Sequence, residues 1–127
     1  MKRTLVKSAA LLAAVVLVQA CAKVPITGRR QMNLVGEQEI MAIASTQYGE
    51  FLSANPPLPD SDQRVRQVRA IGRKLADAAT TFLNDNRAGD RVAGFTWEFN
   101  VVNDNTVNAW CMPGGKVVVY TGILPIT

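Results

Sequence analysis

The residue types that most often carry catalysis or bind metals are sparse in this chain of 127 residues. It has no histidine, two cysteines (Cys21 and Cys111) and ten acidic side chains. A hydrolytic zinc site takes about three protein ligands and one open position for water, and no pair of these side chains has ligand spacing. A cysteine nucleophile needs an adjacent base, so Cys111 is predicted to be a small buried hydrophobe. The chain as written is therefore predicted to bind no catalytic zinc.

A strand, a tight turn and a second strand are predicted between Val107 and Thr127. Pro113 presets φ at the first corner of a type II turn, and Gly114 accepts the positive φ of the second corner. Gly115 then continues the backbone without steric cost. Residues 116–121 are rich in β-branched and aromatic side chains, which is typical of a strand. On composition alone, such a hairpin is part of the scaffold of a sheet.

The amino-acid sequence of this hairpin is similar to a motif of one protein family. The stretches that carry the similarity are Asn108-Ala109-Trp110, Pro113-Gly114-Gly115-Lys116 and Tyr120-Thr121-Gly122-Ile123-Leu124-Pro125. They resemble the strand pair before the zinc helix in the HtpX-like zinc metallopeptidases, which include the CAAX prenyl proteases and periplasmic and mitochondrial quality-control proteases. A second stretch, Pro25-x-Thr27-Gly28-Arg29-x-Gln31, resembles the start of mature lipoproteins in the periplasmic branch of that family.

The resemblance implies a zinc metalloendopeptidase whose H-E-x-x-H motif follows the hairpin. That motif supplies two zinc-binding histidines and a glutamate base on one helix. The chain ends at Thr127 without it. We therefore expect the N-terminal portion of a membrane-anchored protease, one that acts in envelope protein quality control by resemblance. Zinc is expected in the complete family member, and neither zinc nor activity is expected in this chain.

The resemblance also assigns a substrate-binding strand. In such proteases an edge strand beside the zinc helix pairs with the extended backbone of the substrate. By resemblance this strand is Asn108-Ala109-Trp110, followed by the turn Pro113-Gly114-Gly115, and the small Ala109 leaves room above the strand. The expected partner is an unfolded or extended polypeptide. The alternatives are an edge covered by missing sequence and a strand inside the sheet.

Residues 1–20 have the pattern of a lipoprotein signal peptide. Lys2, Arg3 and Lys7 precede an apolar run over 9–18, which is too short to span a bilayer comfortably. A small residue and Cys21 follow the run, so Cys21 is the predicted lipid attachment site and residues 21–35 are the predicted lipidated tether. An ordinary signal peptide or an uncleaved anchor is the alternative.

The predicted location is the cell envelope, with the lipid anchor in the outer membrane and the protein facing the periplasm. Ala22 after the cysteine resembles lipoproteins that are sent to the outer membrane. Of the 14 lysines and arginines, removal of the three in the signal segment leaves 11 against 10 acidic residues. This near-neutral balance removes the main support for nucleic-acid binding.

Residues 36–127 are predicted to form the metallopeptidase-like domain. A first helix is expected over 36–54, and prolines in 55–59 end it. Asp60 or Ser61 can cap a second helix. Its apolar stripe comprises Val65, Val68, Ile71, Gly72, Leu75, Ala78, Ala79 and Phe82. The arginines and lysines on its other faces are interpreted as solvated.

A third strand is predicted where Phe95, Trp97, Phe99 and Val101 alternate with polar residues. Turn-forming residues over 103–105 then lead to the hairpin. The predicted fold class is α+β: two helices packed on a small, mainly antiparallel sheet, as an incomplete zincin-like domain in which the stripe and this strand share one core.

Three function classes remain open from the sequence. The first is a partial zinc metalloendopeptidase. The second is a non-catalytic peptide-binding lipoprotein that uses the strand edge, and the third is a structural envelope lipoprotein. The long, specific match of the hairpin favours the first.

Overall fold

The structure, a computed structural model, describes residues 21–23, 27–32 and 35–127. The chain divides into two compact units, residues 1–36 and 37–127. In the first unit, strands β1 (Cys21–Lys23) and β2 (Arg30–Met32) pair antiparallel. The segment predicted as an irregular tether thus contains a short strand pair, whereas the predicted signal peptide lies outside the described residues.

Two helices open the second unit. Helix α1 spans Glu37–Ala54 and helix α2 spans Gln63–Asp85, close to the predicted positions. The N-cap of α2 is Asp62, whose carboxylate accepts the backbone N–H of Arg64 at 2.8 Å. The sequence predicts this cap at Asp60 or Ser61. Asp62 takes the role because a capping oxygen must reach the amides of the first helical turn.

Three strands and two short 3-10 helices complete the unit. In chain order they are a 3-10 helix (Gly89–Arg91), β3 (Glu98–Val102), β4 (Ala109–Met112), β5 (Lys116–Tyr120) and a 3-10 helix (Thr121–Ile126). The strand order is β3-β5-β4. The β4–β5 hairpin is antiparallel as predicted, but β3 pairs with β5 in parallel. The α+β class is confirmed, and the sheet is mixed where the sequence predicted mainly antiparallel pairing.

The parallel pair exists because residues 103–108 cross over the end of β5 and do not turn back beside β3. The backbone N–H of Asp104 donates to Thr121 Oγ1 at 3.0 Å, and the N–H of Gly122 donates to Asp104 O at 2.8 Å. A Cβ atom on Gly122 would lie 2.2 Å from Asn105 O, so the crossing requires glycine there. The turn-forming residues of this segment thus belong to a crossover connection between the two outer strands, β3 and β4.

Helix α1 covers one face of the sheet, here called the α1 face. Tyr48 is 3% exposed and packs with the buried side chains of Val102 and Val118. Partly buried hydrophobic residues surround this centre: Phe51, Leu52, Trp110, Met112 and Tyr120. Both helix and hairpin therefore contribute to one apolar core.

Helix α2 packs over β3 on the opposite face, here called the α2 face. Gly72 lies so close to Phe99 that a Cβ atom would be 2.4 Å from its ring. The ring of Phe99 stacks on Trp97, which in turn contacts Phe95. The predicted packing of the helical stripe against the Phe95–Val101 segment is confirmed at Gly72.

Much of the predicted α2 stripe is nevertheless not core. Val65 and Gly72 are buried, whereas Ile71, Leu75 and Phe82 are 61%, 65% and 50% exposed. At 100° per residue the exposed three lie on one flank of the buried row. The stripe seen in the sequence is wider than the contact that β3 makes with the helix.

We predict that Gly72→Ala lowers the free energy of unfolding. Overpacking against the Phe99 ring costs about 1–3 kcal/mol, more than the gain of about 1 kcal/mol from better helix propensity. Gly49→Ala in α1 is the matched control, since beyond its own stretch of helix no described atom lies within 4 Å of the added Cβ. Urea unfolding followed by circular dichroism should show destabilisation for the first variant and slight stabilisation for the second. Equal effects of the two variants would contradict the packing argument.

Candidate functional site

The predicted substrate-binding strand lies at an edge of the sheet. β4 pairs with β5 on one side, and within residues 37–127 no strand pairs with its other side. Asn108 precedes β4 and is exposed, as is Ala109, whereas Trp110 is half-buried. The alternative of a strand inside the sheet is therefore excluded within this unit.

The register of the hairpin determines which backbone groups face the open edge. In an antiparallel pair, opposite residues alternate between exchanging both hydrogen bonds and exchanging none. The N–H of Tyr120 donates to Asn108 O at 3.1 Å, so that pair is of the bonded type, and Trp110, two residues further, is bonded to β5 as well. Ala109 and Cys111 occupy the alternate positions. Their N–H and C=O groups therefore point away from β5 into the open edge.

The other edge of the sheet is covered. Pro57 forms a bridge with Val102, and the N–H of Leu58 donates to Val101 O at 2.8 Å. Arg69 Nε donates to Phe99 O at 3.1 Å. A loop and a side chain thus occupy the outer side of β3, a common protection of sheet edges. Within residues 37–127, β4 is consequently the accessible edge of this sheet.

Trp110 anchors β4 to the core. Its ring meets Phe51 edge to face at a centroid distance of 4.9 Å and Tyr48 at 6.2 Å. Its indole Nε1 donates to Tyr120 Oη at 3.2 Å. Edge-to-face aromatic pairs add about 0.5–1.5 kcal/mol beyond area burial. The indole therefore fixes the position of the strand whose outer side is open.

The predicted turn, at the tip of the hairpin, is hydrogen-bonded to the start of β3 and to the segment before it. Gly114 and Gly115 have φ of 84° and 80°, so glycine is needed at both positions. Their carbonyl oxygens each accept a backbone N–H, from Thr96 and Glu98 respectively, at 2.9 Å. A Cβ on Gly115 would lie 3.0 Å from the Trp97 ring. The positive φ predicted for Gly114 is confirmed, and Gly115 shares it.

A nearly buried lysine directly follows the turn, at the start of β5. Lys116 is 8% exposed, and its Nζ donates to Thr96 O at 3.1 Å and to the Glu98 carboxylate. The ammonium group also lies 5.9 Å from the centroid of the Tyr48 ring. The sequence places Lys116 in the hairpin motif but predicts no role for it. Its position beside the two glycines was the available signal.

Tyr48 links α1 to two strands of the sheet, β5 and β3. Its hydroxyl donates to Val117 O at 3.2 Å and accepts Asn100 Nδ2 at 3.0 Å. Burial raises the pKa of Tyr48 above its ordinary value of 10.0. The polar role of Tyr48 depends on β3 and β5 and could not be read from the sequence of α1.

The prediction that Cys111 is buried is wrong, because its thiol is free and exposed. Side chains alternate across a strand, so Cys111 lies on the α2 face while Trp110 lies on the α1 face. Helix α2 covers β3 there and does not reach β4. The strand pattern alone could not show how far the helix extends.

The residues present do not fit a catalytic metal. The chain has no histidine, and the described parts contain no group of three or more His, Cys, Asp or Glu side chains able to hold a metal ion. A borderline cation such as zinc is bound in proteins by imidazole, thiolate and carboxylate. No catalytic step through a metal can be derived for this chain.

The comparisons with known proteins point to metalloendopeptidases. No protein-family model matches the chain. It is 31% identical over 105 residues to the mitochondrial metalloendopeptidase OMA1 of Schizosaccharomyces pombe, covering 81% of this chain and 28% of that protein. It is 43% identical over 63 residues to OMA1 of Arabidopsis thaliana, covering 50% and 11%. It is 26% identical over 102 residues to OMA1 of Bos taurus, covering 79% and 18%.

Homologues of this chain are therefore OMA1 metalloendopeptidases, at low identity. The matched part spans less than a third of each of these three relatives. The metallopeptidase resemblance seen in the hairpin is supported at this coarser level. The periplasmic lipoprotein branch that the sequence predicted is not.

The predicted location is wrong. The sequence indicated an outer-membrane lipoprotein facing the periplasm, but the relatives are named as mitochondrial proteins. The prediction depended on a short apolar run and one cysteine, a pattern too brief to specify a compartment. Lipid attachment at Cys21 has no support from the comparisons, and the structure does not describe that side chain. Among the described residues, no helix has the length and apolar character needed to cross a membrane.

We predict that the stability of the protein falls as pH rises above about 10, the ordinary pKa of tyrosine. Because the folded-state pKa of Tyr48 is raised, folding favours its neutral form. This contribution is fully present below pH 10 and is lost as pH rises through the raised pKa. Urea unfolding between pH 8 and 11 should show a shallower decline for Tyr48→Phe than for the parent chain. An equally steep decline would contradict the assignment.

Proposed function

We propose that this chain forms the substrate-pairing portion of a metalloendopeptidase-like protein. An extended polypeptide adds to the sheet as a further strand beside β4. The observation that carries the proposal is the open edge, where Ala109 and Cys111 direct backbone donors and acceptors outward. Strand addition of this kind obtains its affinity from main-chain hydrogen bonds.

Two further observations support the proposal. The second edge of the sheet is covered by Arg69 and by the loop that contains Pro57 and Leu58, so an incoming strand has one accessible edge. The homologues are metalloendopeptidases, enzymes whose substrates are polypeptides. The motif that resembles the family's substrate strand is the same strand that lies open.

Residues behind the edge prepare it for pairing. Trp110 bonds inward to β5 and packs on α1, so the strand keeps its shape without a partner. Gly114 and Gly115 tie the hairpin to the segment before β3. A strand that is already extended loses less conformational entropy on binding than a mobile segment would.

Hydrolysis is a separate step, and the residues for it are missing from the 127 positions. If the natural protein contains the family's H-E-x-x-H motif and an acidic ligand, those residues would hold zinc, which polarises the scissile carbonyl and activates water. The contribution proposed for this chain is to bind and orient the substrate backbone. No residue of the chain is assigned to the chemical step.

Peptide binding without hydrolysis is the second candidate function. The absence of histidine from the sequence favours it for the chain taken alone. We predict that the purified chain shows no hydrolysis of an unfolded protein that a zinc chelator can inhibit. Gel analysis of casein with and without 1,10-phenanthroline would test this prediction, and chelator-sensitive cleavage would refute it.

We predict that Cys111→Pro weakens binding of a fluorescent, strand-forming peptide by about tenfold, since it removes one outward N–H. Cys111→Ala is the matched control: it removes the thiol, keeps the amide, and should bind like the parent chain. Fluorescence anisotropy gives the dissociation constants, and circular dichroism checks that both variants fold.

Trp110→Pro is a poorer test, because the amide of Trp110 bonds to β5 and its loss would disrupt the hairpin itself. If Cys111→Pro binds as tightly as Cys111→Ala while folded, the open edge is not the peptide site and the proposed function fails.

A further inference from the structure

The α1 side of the open edge has a feature that bears on which polypeptides can pair with it. This inference rests on the proposed function. Along β4, Trp110 and Met112 lie on the α1 face, and Ala109 and Cys111 lie on the α2 face. The two rows differ in size and in exposure. An incoming strand, whose own side chains also alternate, would meet a different surface on each face.

The residue that pairs with Trp110 would contact it closely. Trp110 exchanges its backbone hydrogen bonds with β5, so across the open edge it occupies a position that makes none. In antiparallel pairing, side chains are closest at such positions, with Cβ atoms about 4.5–5.5 Å apart. In a strand that adds antiparallel to β4, one side chain would therefore lie directly against the indole.

The indole offers that side chain an apolar surface alone. Its single polar group, Nε1–H, already donates to Tyr120 Oη at 3.2 Å. Its neighbours on the α1 face include Phe51 and Met112, both partly buried. A carboxylate placed here would lose hydration and gain no partner. An aromatic or branched aliphatic side chain would bury apolar area and pack against the ring.

On the α2 face, the edge places fewer restrictions on the side chains of the bound strand. Ala109 and Cys111 are small and exposed, so side chains opposite them have room and few contacts. Main-chain hydrogen bonds are made at these two positions whatever the side chain is. Selection along the bound strand should thus be concentrated at one position.

We infer that the β4 edge selects extended polypeptide segments by one bulky apolar side chain, which packs on Trp110 at the α1 face. The flanking positions, opposite Ala109 and Cys111, tolerate any residue compatible with a strand. The substrate class is apolar, strand-forming sequence of the kind that unfolding exposes. Segments with an acidic residue at the selected position are rejected.

Host–guest peptides test the selection. A capped, threonine-rich peptide of about seven residues, labelled with a fluorophore, carries Phe, Val, Ser or Asp at its centre. With the full chain, the Phe peptide should bind about tenfold more tightly than the Ser peptide, with Val between them. The Asp peptide should bind most weakly. In a second series, N-methylation of alternate amides lets only one edge of the peptide pair with β4. Moving Phe by one residue within such a peptide should abolish the tenfold higher affinity over the Ser peptide.

Trp110→Leu should reduce the Phe-to-Ser affinity ratio to about twofold, since the aromatic surface is lost while the core stays apolar. Trp97→Leu is the matched control: this indole is 36% exposed on the α2 face beside β3 and should leave the ratio unchanged. A peptide with benzoylphenylalanine at its centre should crosslink to Trp110 or Met112 on irradiation. This measurement needs no variant and stands if Trp110→Leu does not fold.

The outcomes separate the inference from the proposed function. If all guests bind alike and Cys111→Pro weakens every one, the edge binds peptides but the selection by Trp110 is overturned. Crosslinking to Ala109 or Cys111 in place of the α1 face would also overturn it. If no peptide binds the folded chain, both the proposed function and this inference fail.

Discussion

The central position of β5 is the constraint on which the rest of the second unit depends. β3 pairs with it in parallel and β4 pairs with it antiparallel, so both outer strands are aligned by one inner strand. This order requires residues 103–108 to pass over the end of β5, where Gly122 allows the backbones to approach. A side chain at Gly122 would force the two segments apart and separate β4 from its place beside β5.

The sheet has two edges, β3 and β4, and they differ in whether other parts of the chain cover them. Arg69 and the proline-rich loop after α1 satisfy carbonyl groups on the outer side of β3. β4 has no such cover within residues 37–127. Exposed edges invite uncontrolled pairing, and native proteins usually protect them. An edge left open beside a covered one is the feature on which the proposed binding of an extended polypeptide rests.

Polar groups on the α1 face join β5, the strand that β4 pairs with, to β3 and to α1. Lys116, Glu98 and Thr96 connect the turn to β3, and Tyr48 connects α1 to Val117 and Asn100. These groups are satisfied internally, and no buried side-chain donor or acceptor in the described residues lacks a partner. Satisfied polar networks in an apolar setting specify one arrangement. The homologous metalloendopeptidases are several times longer than the matched region.

The sequence by itself determined the local features. Proline placement ended α1, the apolar spacing located α2, and Pro113-Gly114-Gly115 specified a hairpin turn with positive φ. The amino-acid sequence of the hairpin also indicated a metallopeptidase relationship, which the OMA1 homologues support. These features depend on residues close in the chain, where backbone sterics and periodicity act directly.

Tertiary structure decided what depends on distant residues. The parallel pairing of β3 arises from contacts between Asp104 and residues 121–122, which no local pattern encodes. The exposure of Cys111, Leu75 and Phe82 reflects how far α2 reaches across the sheet. The open side of β4 likewise follows from strand order and register. Edge and face are properties of a whole sheet, because a strand's neighbours, and therefore its free hydrogen-bonding groups, are set only when all strands are assembled.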